Sequence, residues 1–269
     1  MPAPLQLEKM QAILASGNNK WLGKTGSLEV LPVTASTNSY ALDLISQGAS
    51  SGTLVLARQQ TSGRGRQGNE WHSPPDAGIY MSCIIKPRIN MELWPLYTLA
   101  TGVAVVRAIE SYAKINIGLK WVNDLVYEGF KLGGILAETK DKALVIGIGI
   151  NIHFDTEDIP PELSQRMTWL SSIYKGNIDN NELCADVCRH LEDVFEMLES
   201  GEEETLLDEW RAYAVTLGQE VKIIFPNETI CGRASDITNK GALIVDTENG
   251  TKTIYAGEVS IRKLDGSYS

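Results

Sequence analysis

Gln60-Thr-Ser-Gly-Arg-Gly-Arg-Gln-Gly68 follows the apolar run Thr53-Leu-Val-Leu-Ala57 and runs up to Trp71. Its last six residues hold three glycines and two arginines. Glycine lets a backbone fold closely around a ligand, and arginine offers a planar fork of donors to phosphate or carboxylate. A loop of this composition at the end of a buried strand suits an anion. Gly63, Gly65 and Gly68 also satisfy G-x-G-x-x-G, the pattern of dinucleotide-binding turns and kinase phosphate loops. The dinucleotide reading needs an apolar helix just past the third glycine, so that its N-terminus meets the pyrophosphate. The chain instead continues as Asn69-Glu-Trp-His-Ser-Pro-Pro-Asp-Ala-Gly78, with two prolines and no helical period. The stretch therefore points away from a doubly wound dinucleotide fold. A solvated glycine-rich turn is the plainer alternative, and the alternation of arginine with glycine beside an apolar strand disfavours it.

The 269 residues suit one large domain, or a large one with a small companion, and 43% apolar content supplies a core. A net charge of −10 argues against a nucleic-acid binder. No apolar run reaches the length of a membrane span, and Met1-Pro-Ala-Pro lacks a secretory start, so a cytoplasmic protein is expected. Cys83, Cys184, Cys188 and Cys231 are scattered, with only Cys184 and Cys188 close, at helical spacing. No C-x-x-C pair or H-E-x-x-H site is present, and His72, His153 and His190 lie far apart. No bound metal is expected from the protein's own ligands. The chemistry is expected to rest on positioned cations and on a cofactor or cosubstrate.

Along the chain, a weak helical pattern over residues 5–15 precedes a strand at 28–33. A short helix over 39–47 comes next, with Thr37 or Asn38 near its cap. Strands are predicted at 53–58 and 79–86, then a long helix over 93–112 with Pro95 in its first turn. Strands at 119–121, 125–127, 131–139 and 143–150 succeed it, then helices over 181–199 and 202–214. From about Gly218 the character changes to short β-rich runs at 221–225, 229–236, 242–246 and 251–255, separated by turn residues. The expected fold class is α+β, a mixed sheet with helices plus a small C-terminal barrel. The expected divisions are an N-terminal extension over 1–27, a catalytic domain over 28–216 and a terminal domain over 217–269.

A second constellation is Lys120-Trp-Val-Asn-Asp124, followed after Tyr127-Glu-Gly-Phe130 by Lys131-Leu-Gly-Gly-Ile-Leu-Ala-Glu138. A hairpin turn there would let Lys131 point back toward Asn123 and Asp124. Taken alone, Lys131 reads as a surface lysine with a buried stem, and Asp124 as a turn or cap residue. A third piece, Gly147-Ile-Gly-Ile-Asn151, ends a small-residue strand in an amide able to bond a base or ribose.

Together these segments resemble the biotin protein ligase family. The matching stretches run in order through Ser36-Thr37-Asn38, Gln60 with Gly63-Arg-Gly-Arg-Gln-Gly68, and Trp71-His-Ser-Pro74. They continue through 120–124, 131–138 and 147–151 to Gly257-Glu-Val-Ser-Ile-Arg262. Each is weak alone, and their order over about residues 28–265 is specific. The resemblance implies a class II synthetase-like catalytic domain with a C-terminal SH3-like barrel. It implies an ATP-dependent, AMP-forming ligase that makes biotinyl-5′-AMP and pyrophosphate, then transfers biotin to a lysine of a biotin carboxyl carrier protein domain. Mg²⁺ would accompany ATP. A homodimer is compatible, and neither nucleic acid nor membrane is an expected partner.

The resemblance also implies roles. Ser36, Thr37, Asn38, Gln60, Arg64, Gly65, Arg66, Lys131 and Gly133 would bind biotin. Arg66, Trp71, Lys120, Asn123, Asp124, Lys131 and Asn151 would bind ATP. Arg64, Arg66 and Lys131 would be catalytic, screening a carboxylate from the polyphosphate it approaches. The glycine-rich loop is expected to order on ligand binding. Two features depart from many relatives: Val122 stands where proline is common, and Gln67 and Asn69 make the loop less basic. The first 27 residues are too few for the DNA-binding domain of the repressor forms, so a single-function ligase is expected. Lipoate–protein ligase and a non-catalytic biotin-binding regulator are the rival readings.

Overall fold

A computed structural model describes residues 2–155, 157, 159–225 and 228–255, with the backbone alone at 260–263. In chain order the elements are α1 (Leu7–Ser16), β1 (Leu28–Leu31), α2 (Thr37–Ser46), β2 (Leu54–Ala57), β3 (Gly78–Ile85) and α3 (Leu96–Ala113). Then come β4 (Gly118–Lys120), β5 (Asp124–Tyr127), β6 (Phe130–Lys140), β7 (Ala143–Asn151), α4 (Pro161–Ser164) and α5 (Leu170–Ile173). The long helices α6 (Asn180–Glu199) and α7 (Glu203–Tyr213) precede β8 (Glu220–Ile224), β9 (Thr229–Ile237), β10 (Leu243–Thr247), β11 (Gly250–Ile254) and β12 (Ser260–Lys263).

Seven strands form a mixed sheet in the order β1-β2-β3-β7-β6-β5-β4, in which β1 and β2 are parallel and the other pairs antiparallel. Alternation along β2, β3 and β7 separates the two faces. Leu54, Leu56, Met81, Cys83, Ile146 and Ile148 join the main core with α3 and α6. Val55, Ile84 and Val145 turn the other way and meet Ala41 and Ile45 of α2. α3 is buried almost all round, which explains its near-continuous apolar sequence.

Two helix starts differ from the sequence reading. α2 begins at Thr37 because the Ser36 side chain caps it, accepting from Ser39 N at 3.5 Å. Thr37 and Asn38 therefore lie in its first turn, facing the sheet. The helix predicted from residue 93 starts at Leu96, with Pro95 at its N-cap and a separate turn over Met91–Leu93 in front. Proline cannot donate within a helix, so the break falls there.

The C-terminal strands form a five-stranded antiparallel sheet in the order β11-β10-β9-β8-β12. Of the stretch 257–262, residues 257–259 lie outside the described residues. The N-terminal extension packs on α6: α1 buries Met10 and Leu14, and Gln6 N donates to Asn181 Oδ1. No helix among the described residues is long and apolar enough to cross a membrane.

Candidate active site

The site forms where the α2-facing side of the sheet runs out of large side chains. Moving along β7 on that face, Ala143 and Val145 give way to Gly147 and Gly149. Their neighbours across the strands are Ser82 and Tyr80 on β3, and Leu136 and Gly134 on β6. A Cβ at Gly147 would lie 2.1 Å from Asn38 Oδ1, and one at Gly149 would lie 2.5 Å from the Trp71 ring. Glycine at these two positions lets Asn38 and the Trp71 indole rest on the sheet itself. Over this floor lies a cleft lined by Ser36, Thr37, Asn38 and Gln60 at one end, and Trp71, Lys120, Asn123, Asp124 and Lys131 at the other. Arg64, Gly65 and Arg66 also line it, which brings together nearly all the residues expected at the site.

The hairpin behaves as its sequence suggested. Glu128 and Gly129 take positive φ, and β5 pairs with β6. Lys131 Nζ reaches Asp124 Oδ1 at 2.6 Å and lies 5.3 Å from the Trp71 ring centroid, a cation–π distance. Asn123 donates to the Ile135 carbonyl at 3.0 Å and accepts from Arg66 Nη1 at 3.1 Å. The peptide bond between Trp121 and Val122 is cis.

Arg66 is the decisive cation. Its Nη2 is buried and has no hydrogen-bond partner among the described residues. Burial pulls the guanidinium below its ordinary pKa, and Asp124 opposes that shift. A desolvated charge with open donor capacity is costly unless an anion supplies the missing contacts. Arg64 is engaged differently: its Nη2 donates to Glu138 Oε2 at 2.6 Å.

The opposite end is polar and closely tied. Gln60 Oε1 accepts from Thr37 N at 2.8 Å, and its Nε2 donates to Ser73 Oγ at 2.9 Å. Asn38 Nδ2 donates to the Leu136 carbonyl and to Glu138 Oε2, at 3.1 and 2.8 Å. Asn38 therefore works as a brace between α2 and β6. Asn151 likewise directs Nδ2 to the Lys131 and Thr168 carbonyls, at 3.3 and 3.0 Å. It lines an adjoining recess with Asn69, Trp71, Lys131, Arg166 and Met167.

Of the paired glycines in β6, Gly134 lines the cleft. Gly133 faces the other way, where a Cβ would meet Gly149 O at 2.6 Å and Leu125 at 2.7 Å, so its role is packing. Sequence reading assigned no role to Ser82, Ser73, Glu138 or Arg166. Ser82 carried a signal, as a polar residue in the otherwise apolar Gly78–Ile85 strand.

Residues 30–155 match the family model described as "Biotin/lipoate A/B protein ligase family", and residues 216–262 match "Biotin protein ligase C terminal domain". The chain is 36% identical to the "Bifunctional ligase/repressor BirA" of Bacillus spizizenii over 240 residues, covering 85% of this chain and 72% of that protein. It is 29% identical to the "Biotin--[acetyl-CoA-carboxylase] ligase" of Mycobacterium tuberculosis over 262 residues, covering 95% of each. Among solved structures, the biotin protein ligase from Aquifex aeolicus in complex with biotin and ATP superposes with a TM-score of 0.79 at 30% identity. That match covers 88% of this chain and 98% of the other.

Proposed function

The chain belongs to the biotin protein ligase family, and on that premise we propose how its cleft activates biotin with ATP. The bicyclic ring of biotin enters the polar end, among Ser36, Thr37 and Gln60. ATP, brought as its Mg²⁺ complex, lies toward Trp71, Lys120, Asn123, Asp124 and Asn151. Asp124 and Glu70 are the carboxylates lining this cleft, and the described residues contain no group of three metal-ligating side chains. The ion is therefore best held through the phosphates.

A biotin carboxylate oxygen attacks the α-phosphorus, the bond to the β-phosphate bridging oxygen breaks, and pyrophosphate leaves. The product is biotinyl-5′-AMP. A lysine amine of the acceptor then attacks the carbonyl carbon of this mixed anhydride, loses a proton, and expels AMP. Neither step calls for a protein nucleophile. The first step brings two anions together, and Arg66 and Lys131 supply the positive field at that point. A preorganised donor of this kind contributes about 3–4 kcal/mol at the transition state.

The observation that carries the reading is the buried Arg66 Nη2, without a hydrogen-bond partner among the described residues, on a side chain that lines the same cleft as Thr37 and Gln60. The hydroxyl and amide groups at that end favour biotin over lipoate, whose dithiolane ring has no N–H or C=O to satisfy them. The acceptor is the lysine of a biotin carboxyl carrier domain, and the setting is cytoplasmic.

ATP–pyrophosphate exchange tests this directly, with biotin and lipoate in parallel. Exchange is expected with biotin alone, and Lys131→Ala should lower it by about a hundredfold or more. A folded protein that exchanges no pyrophosphate with biotin and MgATP would overturn the reading.

A further inference from the structure

We infer that Glu138 is a positioning residue. Through Arg64 it holds the glycine-rich loop in place over the cleft, and so sets how long the activated acid stays bound. The inference rests on the ligase reading of this cleft and goes further, to the residue that pins the loop.

The loop is a narrow arm stiffened from within. Gly65 N donates to the Asn69 carbonyl at 2.7 Å, Asn69 N to the Arg66 carbonyl at 3.1 Å, and Trp71 N to the Gly63 carbonyl at 2.9 Å. At its base, Thr61 N and Ser62 N donate to the carbonyls of Thr34 and Ala35, each at 2.9 Å. Behind the arm lies a cavity of about 580 Å³, with the loop on one side and Leu136, Ala137 and Glu138 of β6 on the other. The outer side of the arm thus faces space rather than a packed core, and polar contacts must fix its position.

Two side chains reach from the arm to the sheet. Arg66 Nη1 donates to Asn123 Oδ1 at 3.1 Å, and Arg64 Nη2 donates to Glu138 Oε2 at 2.6 Å. They differ in what substrate does to them. Arg66 carries a buried donor without a hydrogen-bond partner among the described residues, so the reacting anions act on it directly. Glu138 stands on the far wall of the cavity behind the arm and draws Arg64 that way, so this contact persists whatever the cleft holds. The same carboxylate oxygen receives Asn38 Nδ2, from the first turn of α2, at 2.8 Å. One oxygen therefore ties the loop and α2 to β6. The Arg64–Glu138 contact is a charge-assisted hydrogen bond between side chains 38% and 25% exposed, firm enough to hold an arm and open enough for salt to screen it.

The test forms biotinyl-5′-AMP from biotin and labelled ATP in one turnover, without acceptor. Rapid filtration then follows the intact adenylate that leaves the protein. Glu138→Gln keeps an acceptor for Asn38 and removes the charge. Release should quicken about fivefold, with formation of the adenylate scarcely altered. Arg64→Gln should also quicken release, and the double variant should release no faster than the faster single one, because both break the same bond. Added salt should quicken release from the wild type and narrow its difference from Glu138→Gln.

Wild-type release from a folded Glu138→Gln protein would overturn the inference. So would effects that multiply in the double variant, since Glu138 would then act through Asn38 alone. Should Glu138→Gln fail to fold, the wild type still decides: release that does not quicken between roughly 0.05 and 0.5 M salt would overturn the inference. Failure of the wild type to form any adenylate from biotin and ATP would count against the ligase reading instead.

Discussion

Replacing Gly149 with alanine inserts one methyl group between the sheet and the Trp71 indole. The added Cβ would stand 2.5 Å from Cε2, 2.6 Å from Nε1 and 2.8 Å from Cζ2 of that ring. Carbon contacts relax near about 3.5 Å, so the ring must retreat by about 1 Å. The backbone of β7 is paired on both sides and cannot yield. Trp71 is half-buried and can, but it moves into the space of Lys131, whose Nζ lies 5.3 Å from the ring centroid. The stability cost falls at the low end of overpacking, about 1 kcal/mol, which lowers Tm by roughly 2–4 °C in a chain of this size. The catalytic cost should be larger, because a misplacement of about 1 Å near reacting groups can cost about a hundredfold. In pyrophosphate exchange, kcat/KM for ATP should fall at least tenfold, by about 1.4 kcal/mol of barrier. The half-saturating concentration of biotin, bound at the Thr37 end, should scarcely move. A Gly149→Ala protein with wild-type ATP kinetics would refute the placement of the nucleotide against Trp71. A larger effect on biotin than on ATP would do the same.

Two further outcomes concern stability. Glu192 is fully buried and accepts from the backbone N–H groups of Lys20, Trp21 and Leu22, at 2.5, 2.7 and 2.6 Å. Glu192→Ala strands these donors and should destabilise the fold by about 3 kcal/mol in thermal or urea unfolding; a loss below about 1 kcal/mol would show that water replaces the carboxylate. His190 is held below its ordinary pKa of 6.5 by burial, with Arg189 and Arg107 adding repulsion, and its Nε2 is buried with no hydrogen-bond partner among the described residues. The unfolded chain therefore binds the proton more readily, so stability is full above about pH 6.5 and falls as pH drops toward the depressed folded value. His190→Gln should flatten the unfolding-temperature profile between roughly pH 7 and 5, and an unchanged slope would place the titrating group elsewhere.

Much of the site was legible in the chain because its chemistry needs particular residues at particular offsets. The turn at Glu128-Gly129 set the pairing of β5 with β6 and so brought Lys131 back to Asp124. Gly147 and Gly149 alternate at strand period, which is the pattern of a bare floor on one face. What escaped depended on contacts remote in sequence. Asn38 was expected to meet biotin, yet its amide serves Leu136, about a hundred residues away, because α2 starts earlier than its polar sequence suggested. Ser82 and Glu138 acquire their roles only through that brace. Gly133 and Gly134 are indistinguishable by composition, and strand register alone decides which one opens on the cleft.

Trp121 ties the larger sheet to the C-terminal part. Its backbone N–H donates to Thr216 Oγ1 at 3.0 Å, and its indole N–H donates to the Gly241 carbonyl at 2.9 Å. The residues beside it, Lys120 and, two further on, Asn123, line the cleft. The turn that presents them is thus clamped at its apex by the segment leading into β8 and by the turn between β9 and β10, much as a shelf is fixed by a bolt on its far side. One apolar core runs through both parts, with Leu96 and Leu99 lying against Gly241. A cut near residue 216 would separate two regions of different composition, but it would also free the cleft's cationic wall to shift. The smaller sheet therefore acts as a mechanical reference for the larger one, and a substitution at Gly241 or Thr216 should be felt first as a change in how the nucleotide sits.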